Sequence, residues 1–175
     1  KSSATRRPII DTAATDLMGL LNTNNYQKGA WVLHSLQRLL GDSVFFAGIR
    51  AYFATYRDRT ALSTDFAATM SAAAGTDLRW YFDQALLQPG YPKLQVRSAF
   101  DSAERRLTLT VSEVQPAAWG SYRLPRLAIA VDGVITRHDV AGPETVITLD
   151  DVARPPTSII VDPDGDWLLQ AEVVR

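Results

Sequence analysis

Four groups of residues in this chain have the types and spacing to do chemistry. The first is Tyr26, where the polar run Asn22-Thr23-Asn24-Asn25 meets the apolar segment Gly29-Ala30-Trp31-Val32-Leu33. A helix that starts here exposes unpaired backbone N–H groups and partial positive charge, a setting that favours an oxyanion. A phenol with its ordinary pKa of about 10 remains a hydrogen-bond donor at neutral pH. The plainer role for Tyr26 is to anchor the helix start, ring inward and hydroxyl in water. The second group is the two histidines, His34 and His138. Hydrolytic zinc needs three protein ligands and an open position, commonly two histidines and a carboxylate. His34 and His138 fall on different predicted lobes and no His-Glu-x-x-His occurs. His34 therefore reads as helix packing and His138 as an exposed strand residue, and no metal is expected on this chain alone. The third group is Asp162, Asp164 and Asp166, three carboxylates around Pro163 and Gly165. A calcium loop of the EF-hand type needs a glycine at its sixth position and a bidentate acid at its twelfth, and this run has neither. A tight turn between strands is the better reading. The fourth group, Trp119, Tyr122 and Trp167, could face a carbohydrate, but aromatic residues in strands more often pack inward. No Ser-His-Asp set, P-loop or Gly-x-Gly-x-x-Gly is present.

Composition narrows the classes further. The chain has 175 residues, 46% of them hydrophobic and 21% charged, which describes an ordinary globular protein of one medium domain or two small lobes. A net charge of −1 argues against a binder that works by neutralising nucleic-acid phosphates. No apolar run is long enough to span a membrane. The absence of cysteine excludes disulfides and thiolate metal sites, and leaves periplasmic, secreted and cytoplasmic compartments open. The chain opens on Lys1 rather than methionine, so a trimmed or cut part of a longer protein is expected. Arg6-Arg7 has no apolar region behind it and reads as an exposed basic arm, not a signal.

These residues need elements to position them, and the periodicity supplies two kinds. Lys1 to Thr5 is expected to fray. Pro8-Ile9-Ile10 reads as extended, and Ala13 to Leu21 as a short helix or turn. A helix is expected from about Asn25 to Leu40, ended by Gly41 and buried on several sides through Trp31, Val32, Leu33, Leu36, Leu39 and Leu40. Its polar residues gather at Gln27–Lys28 and Gln37–Arg38. A second helix runs to about Arg57, with Phe45, Ile49, Tyr52, Phe53 and Tyr56 as an inward stripe. A third, capped by Ser63 with Asp65 in its first turn, ends near Gly75. A fourth begins at Asp77 and turns Leu78, Tyr81, Phe82, Ala85 and Leu86 inward. Gln88-Pro89-Gly90-Tyr91-Pro92 breaks it. Beyond Pro92 the period falls to two, in Leu94/Val96, Leu107/Leu109/Val111 and Leu127/Ile129/Val131, with Asp132-Gly133 as a type I′ hairpin signal. Further strands are expected over Thr145–Leu149, Thr157–Val161 and Trp167–Val173. The expected fold is α+β: a helical subdomain over residues 1–92, then an antiparallel β-sandwich of about seven strands over residues 93–175.

Two blocks carry a resemblance. Tyr26-Gln27-Lys28-Gly29-Ala30, followed by Val32-Leu33-His34 and Leu36, resembles the Tyr-x-Lys-Gly helix of the gluzincin zinc aminopeptidases. This family spans membrane alanyl aminopeptidases and leukotriene-hydrolase-like enzymes. Asp77-Leu78-Arg79-Trp80-Tyr81-Phe82-Asp83-Gln84 and Pro89-Gly90-Tyr91-Pro92 resemble its Asp-Leu-x-Trp-Phe-Phe-x-Gln-Trp-Leu…Pro-Gly-Tyr-Pro segment. The likeness is good from Arg7 to Leu94 and weak beyond. It implies the C-terminal portion of a thermolysin-like catalytic domain and, in the parent protein, a zinc ion held by an upstream His-Glu-x-x-His. It also implies a peptide substrate that loses its N-terminal residue. In the family the tyrosine hydroxyl donates a hydrogen bond to the tetrahedral oxyanion, and that role carries over to Tyr26 alone. The chain by itself is then expected to be inactive, with the upstream part of the same polypeptide as its partner. Departures from the family pattern are Gln27 for a common glutamate, Leu21 for a second tyrosine of some members, and Ala85 for the usual tryptophan. A non-catalytic interaction module of the same fold is the competing class.

Overall fold

The computed structural model describes residues 7–174 except 17, 21 and 23, with only the backbone for residues 20 and 24. The expectations for residues 1–5 and for Leu21 lie outside the described residues. The chain divides into two compact units, Lys1–Pro89 and Gly90–Arg175, so the division falls inside the Pro-Gly turn.

In the first unit the chain enters by a turn in which Asp11 accepts from the Ala13 N–H at 3.0 Å. The Ile10 N–H reaches the Leu86 carbonyl at 2.9 Å. A single 3₁₀ turn covers Met18–Leu20. Helix α1 spans Gly29–Leu40, α2 Asp42–Tyr56, α3 Ser63–Ala74 and the short α4 Arg79–Phe82. Gly41 (φ 77°) separates α1 from α2, and Gly75 (φ 65°) closes α3 in the left-handed region that costs an L-residue a Cβ clash. At the start of α3 the Asp65 carboxylate accepts from the Leu62 N–H at 2.8 Å, one of the donors a helix start leaves free. Leu62, not Ser63, holds the cap position.

Two helical expectations change. Helix α1 buries only Val32, Ser35 and Leu36 and leaves Leu33 and His34 exposed, because its neighbours reach one face of it. In α2, Phe45 and Gly48 are buried, whereas Phe53, expected in the stripe, is 66% exposed. The α2–α3 contact explains this. Gly48 lets Met70 of α3 approach so closely that a Cβ there would collide with its sulfur. The inward direction of α2 thus follows Phe45 and Gly48, with Tyr52 ring-on-edge to Phe66 at 5.0 Å, and Phe53 falls outside it.

Among the described residues the second unit has seven strands: β1 Lys93–Asp101, β2 Arg106–Glu113, β3 Arg123–Val131, β4 Val134–Ala141, β5 Glu144–Leu149, β6 Ile159–Val161 and β7 Gln170–Val174. They form one sheet in the order β5-β2-β1-β7 and a second in the order β4-β3-β6. Rows such as Ser98–Leu109–Ile147 and Phe100–Leu107–Leu149 place alternate residues of the first sheet on one face, as the period of two requires. Leu94, Val96, Leu107, Leu109, Val111 and Ile147 from one sheet, with Leu124, Leu127, Ile129 and Val140 from the other, make the buried core. Asp132 (φ 48°) and Gly133 (φ 86°) turn the β3–β4 hairpin with both φ values positive, as a type I′ turn demands. Among the described residues all strand pairings are antiparallel except one: β7 lies parallel to β1, Lys93 opposite Gln170 and Val96 opposite Val173. A parallel neighbour needs a crossover, here supplied by the whole excursion from β2 to β6.

Candidate functional site

The Tyr26 segment is built in two steps. Asn22 ties the entry: its carbonyl accepts from the Tyr26 N–H at 3.2 Å and its side-chain oxygen from the Asn25 N–H at 3.2 Å. The chain then makes a π-helical turn over Asn24–Lys28 and passes into α1 without a break, Lys28 itself having helical dihedrals. Tyr26 thus sits within a wide turn and not at a cap. The N–H groups of Asn25 and Tyr26, expected to be open to an oxyanion, are engaged by Asn22. What the turn presents is the side chain of Tyr26, which is 66% exposed. Single π turns inside helices are rare and frequent at functional sites.

Lys28, two positions on, does the opposite. It is only 8% exposed, and its Nζ donates to the Gln88 carbonyl at 2.8 Å. Removal from water lowers its pKa from the usual lysine range to about 8, and among the described residues no carboxylate pairs with it. By residue type alone Lys28 groups with Gln27 among the polar residues of this helix. The signal was present: Lys28, Val32, Ser35 and Leu36 recur at helical spacing, and all four are buried.

Behind α1 stands Tyr81 of α4. Its hydroxyl donates to the Val32 carbonyl at 2.6 Å, and burial pushes the phenol well above its ordinary range. Tyr81 is a brace for α1, with no open face. Gln88 closes a second π-helical turn, Asp83–Leu87, which continues α4. Beside these elements lies a cleft of about 290 Å³ lined by Ile9, Gly29, Val32, Tyr52, Phe66 and Leu86. A Cβ on Gly29 would meet nothing within 4 Å, so crowding inside this unit does not dictate that glycine.

The remaining candidates stay apart from Tyr26 in role. His34 is exposed and edge-on to Trp31 at 5.3 Å, contrary to the packed position expected for it. His138 is half-buried on β4, with Nε2 2.7 Å from the Thr136 hydroxyl, and burial lowers its pKa. Asp162 turns the chain between β6 and β7: its carboxylate accepts from the N–H groups of Asp166 and Trp167 at 2.9 and 3.0 Å. Burial raises its pKa, and those two hydrogen bonds oppose the shift. Tyr122 and Trp167 are buried, and Trp119 lies on Gly90 and Tyr91, so the three offer no exposed aromatic platform. Among the described residues, no three histidine, aspartate or glutamate side chains converge to hold a metal. The described residues by themselves offer no ligand set for a zinc ion. No described helix is long and apolar enough to cross a membrane.

Residues 1–84, just under half of the chain, match the family model described as the peptidase family M1 domain. Aminopeptidase N of Lactococcus lactis subsp. lactis is 35% identical over 77 residues, 44% of this chain and 9% of that protein. Aminopeptidase N of Haemophilus influenzae is 31% identical over 119 residues, 66% of this chain and 13% of its own length. The chain therefore spans only about a tenth of the relatives it matches. A crystal structure of Legionella pneumophila aminopeptidase A in complex with aspartic acid superposes over 97% of this chain and 20% of its own, with a TM-score of 0.80. At 16% identity that likeness establishes the fold.

Proposed function

We propose that this chain is the C-terminal portion of a zinc aminopeptidase that removes N-terminal residues from peptides, and that Tyr26 supplies its oxyanion hydrogen bond. Residues 1–92 are then the helical end of the catalytic domain and residues 93–175 a β-sandwich domain that follows it. The zinc ion and its ligands belong to the upstream part of the same polypeptide. The observation that carries the reading is the exposure of Tyr26 on a π-helical turn braced from behind, inside the segment that matches family M1. A neutral phenol held at a fixed point donates to the negative oxygen that develops when the scissile carbonyl is attacked, and binds the uncharged carbonyl less strongly.

The test uses the full-length enzyme. Tyr26→Phe should lower kcat by roughly 10²–10³ with KM and Tm little changed, the usual cost of one lost oxyanion donor. An unchanged kcat removes Tyr26 from the mechanism. This chain alone, incubated with zinc, should not hydrolyse an aminoacyl-arylamide; hydrolysis would contradict the division of labour. A full-length protein without peptidase activity would instead leave a non-catalytic interaction module of the same fold.

A further inference from the structure

We propose that Lys28 is a positioning residue: by reaching from the π-helical turn to the Gln88 carbonyl, it holds that turn in the register that presents Tyr26 outward. The inference rests on the reading of Tyr26 given above and adds to it the device that aims the phenol.

The geometry carries the argument. Residues two apart on a helical turn, α or π, point to roughly opposite sides. Tyr26 and Lys28 follow this rule, one exposed and the other buried. Fixing Lys28 inward therefore fixes Tyr26 outward. A π turn is a single wide loop of helix with little intrinsic preference for its own geometry. Here it is tied at both ends, by Asn22 before it and by Lys28 at its close, across 60 positions of sequence.

The chemistry of the tether points to orientation more than to stability. A leucine or methionine would fill an apolar interior without desolvating a cation. The ammonium instead meets the carboxyl end of the run formed by α4 and the Asp83–Leu87 turn, where unpaired carbonyls carry partial negative charge. That partial charge stands in for the missing carboxylate. Gln88 bears a further cost: its side-chain Oε1 is buried and finds no partner among the described residues. The junction accepts two unfavourable polar burials to keep one backbone atom and one ammonium in register.

The experiment is a double-mutant cycle in the full-length enzyme. Lys28→Met keeps the stem and removes the charge and the donors. It should lower kcat about tenfold to a hundredfold, as a misaimed catalytic group does, with KM changed less than about twofold and Tm not lowered. In a Tyr26→Phe background the same change should have little further effect on kcat, because nothing remains to be aimed. Lys28→Arg, which keeps a cation and donors, should restore most of the activity, and it carries the test if the Met variant does not fold. Independent, multiplying effects of the two substitutions would overturn the inference and leave the role of Tyr26 standing. So would an Arg variant as impaired as Met. A Tyr26→Phe enzyme with unchanged kcat would instead overturn the underlying reading, and this inference with it.

Discussion

The two units differ in what they bury. Of the twelve largest fully buried side chains among the described residues, Leu36, Met70 and Leu78 lie in the helical unit and the other nine in the sandwich. The buried polar residues Lys28, Ser35 and Gln84 all lie in the helical unit. Large apolar side chains stand exposed in both units: Leu33, Phe46, Phe53, Leu62 and Leu87 in the helical one, Val134, Ile135, Val146 and Ile160 in the sandwich. The sandwich closes a core between two facing sheets, each strand giving one face inward. The helices close only one side each. The contrast lies in the buried polar groups, which among the described residues the sandwich core does without.

That contrast can be broken at several points, beginning with the largest expected effect. Leu127→Ala, at a fully buried position of β3, should destabilise the sandwich by about 2–5 kcal/mol in denaturant unfolding, the range for a cavity left in a packed core. A loss below about 1 kcal/mol would mean that this core is looser than its burial implies. Gly48→Ala should destabilise the helical unit by about 1–3 kcal/mol, because the added methyl meets the Met70 sulfur where α2 and α3 touch.

Lys28 offers a third, smaller test through pH. Its folded pKa of about 8 lies below the unfolded value of 10.5, so between these values the unfolded chain binds more protons than the folded one. Stability must then rise with pH from 8 towards 10, by on the order of 1 kcal/mol, and Lys28→Met should flatten that rise. The window ends at about pH 10, where unfolded tyrosines begin to ionise while buried Tyr81 holds its proton, which reverses the slope. A thermal midpoint independent of pH in that window would show that Lys28 is solvated. The smallest effect belongs to Phe53→Ala, which should change stability by less than about 0.5 kcal/mol. A larger loss would mean that the exposed helical faces contribute more than their burial suggests.

The sequence was most informative where burial is complete. Leu107, Leu109 and Val111 alternate because every second position of β2 meets the core, and Asp132-Gly133 marks its hairpin because few other pairs tolerate two positive φ values. Gly41 and Gly75 mark helix ends for the same steric reason. Legibility fell in the helical unit. Apolar spacing cannot distinguish an α turn from a π turn, so Asn24–Lys28 read as ordinary helix. Phe53 read as core because a stripe records where apolar residues lie, not which of them a neighbour covers. Lys28 read only as one of the helix's polar residues, because its charge outweighed its spacing. The direction of β7 was invisible for a different reason: alternation fixes which face a residue takes and says nothing of the sense in which two strands run. Tyr26 stood out by its surroundings in the sequence, and the neighbour that braces its turn lies 60 positions of sequence away.

The parallel seat of β7 has a consequence for how the chain is made. β1 is the first strand of its unit to leave the ribosome, and its partner on that side is the last. Until Gln170–Val174 emerges, one flank of β1 shows a row of bare peptide groups to any other extended polypeptide nearby. A polypeptide that lacks Gln170–Val174 should therefore be prone to pair that bare flank with other extended chains, and β7 acts as the latch that covers it.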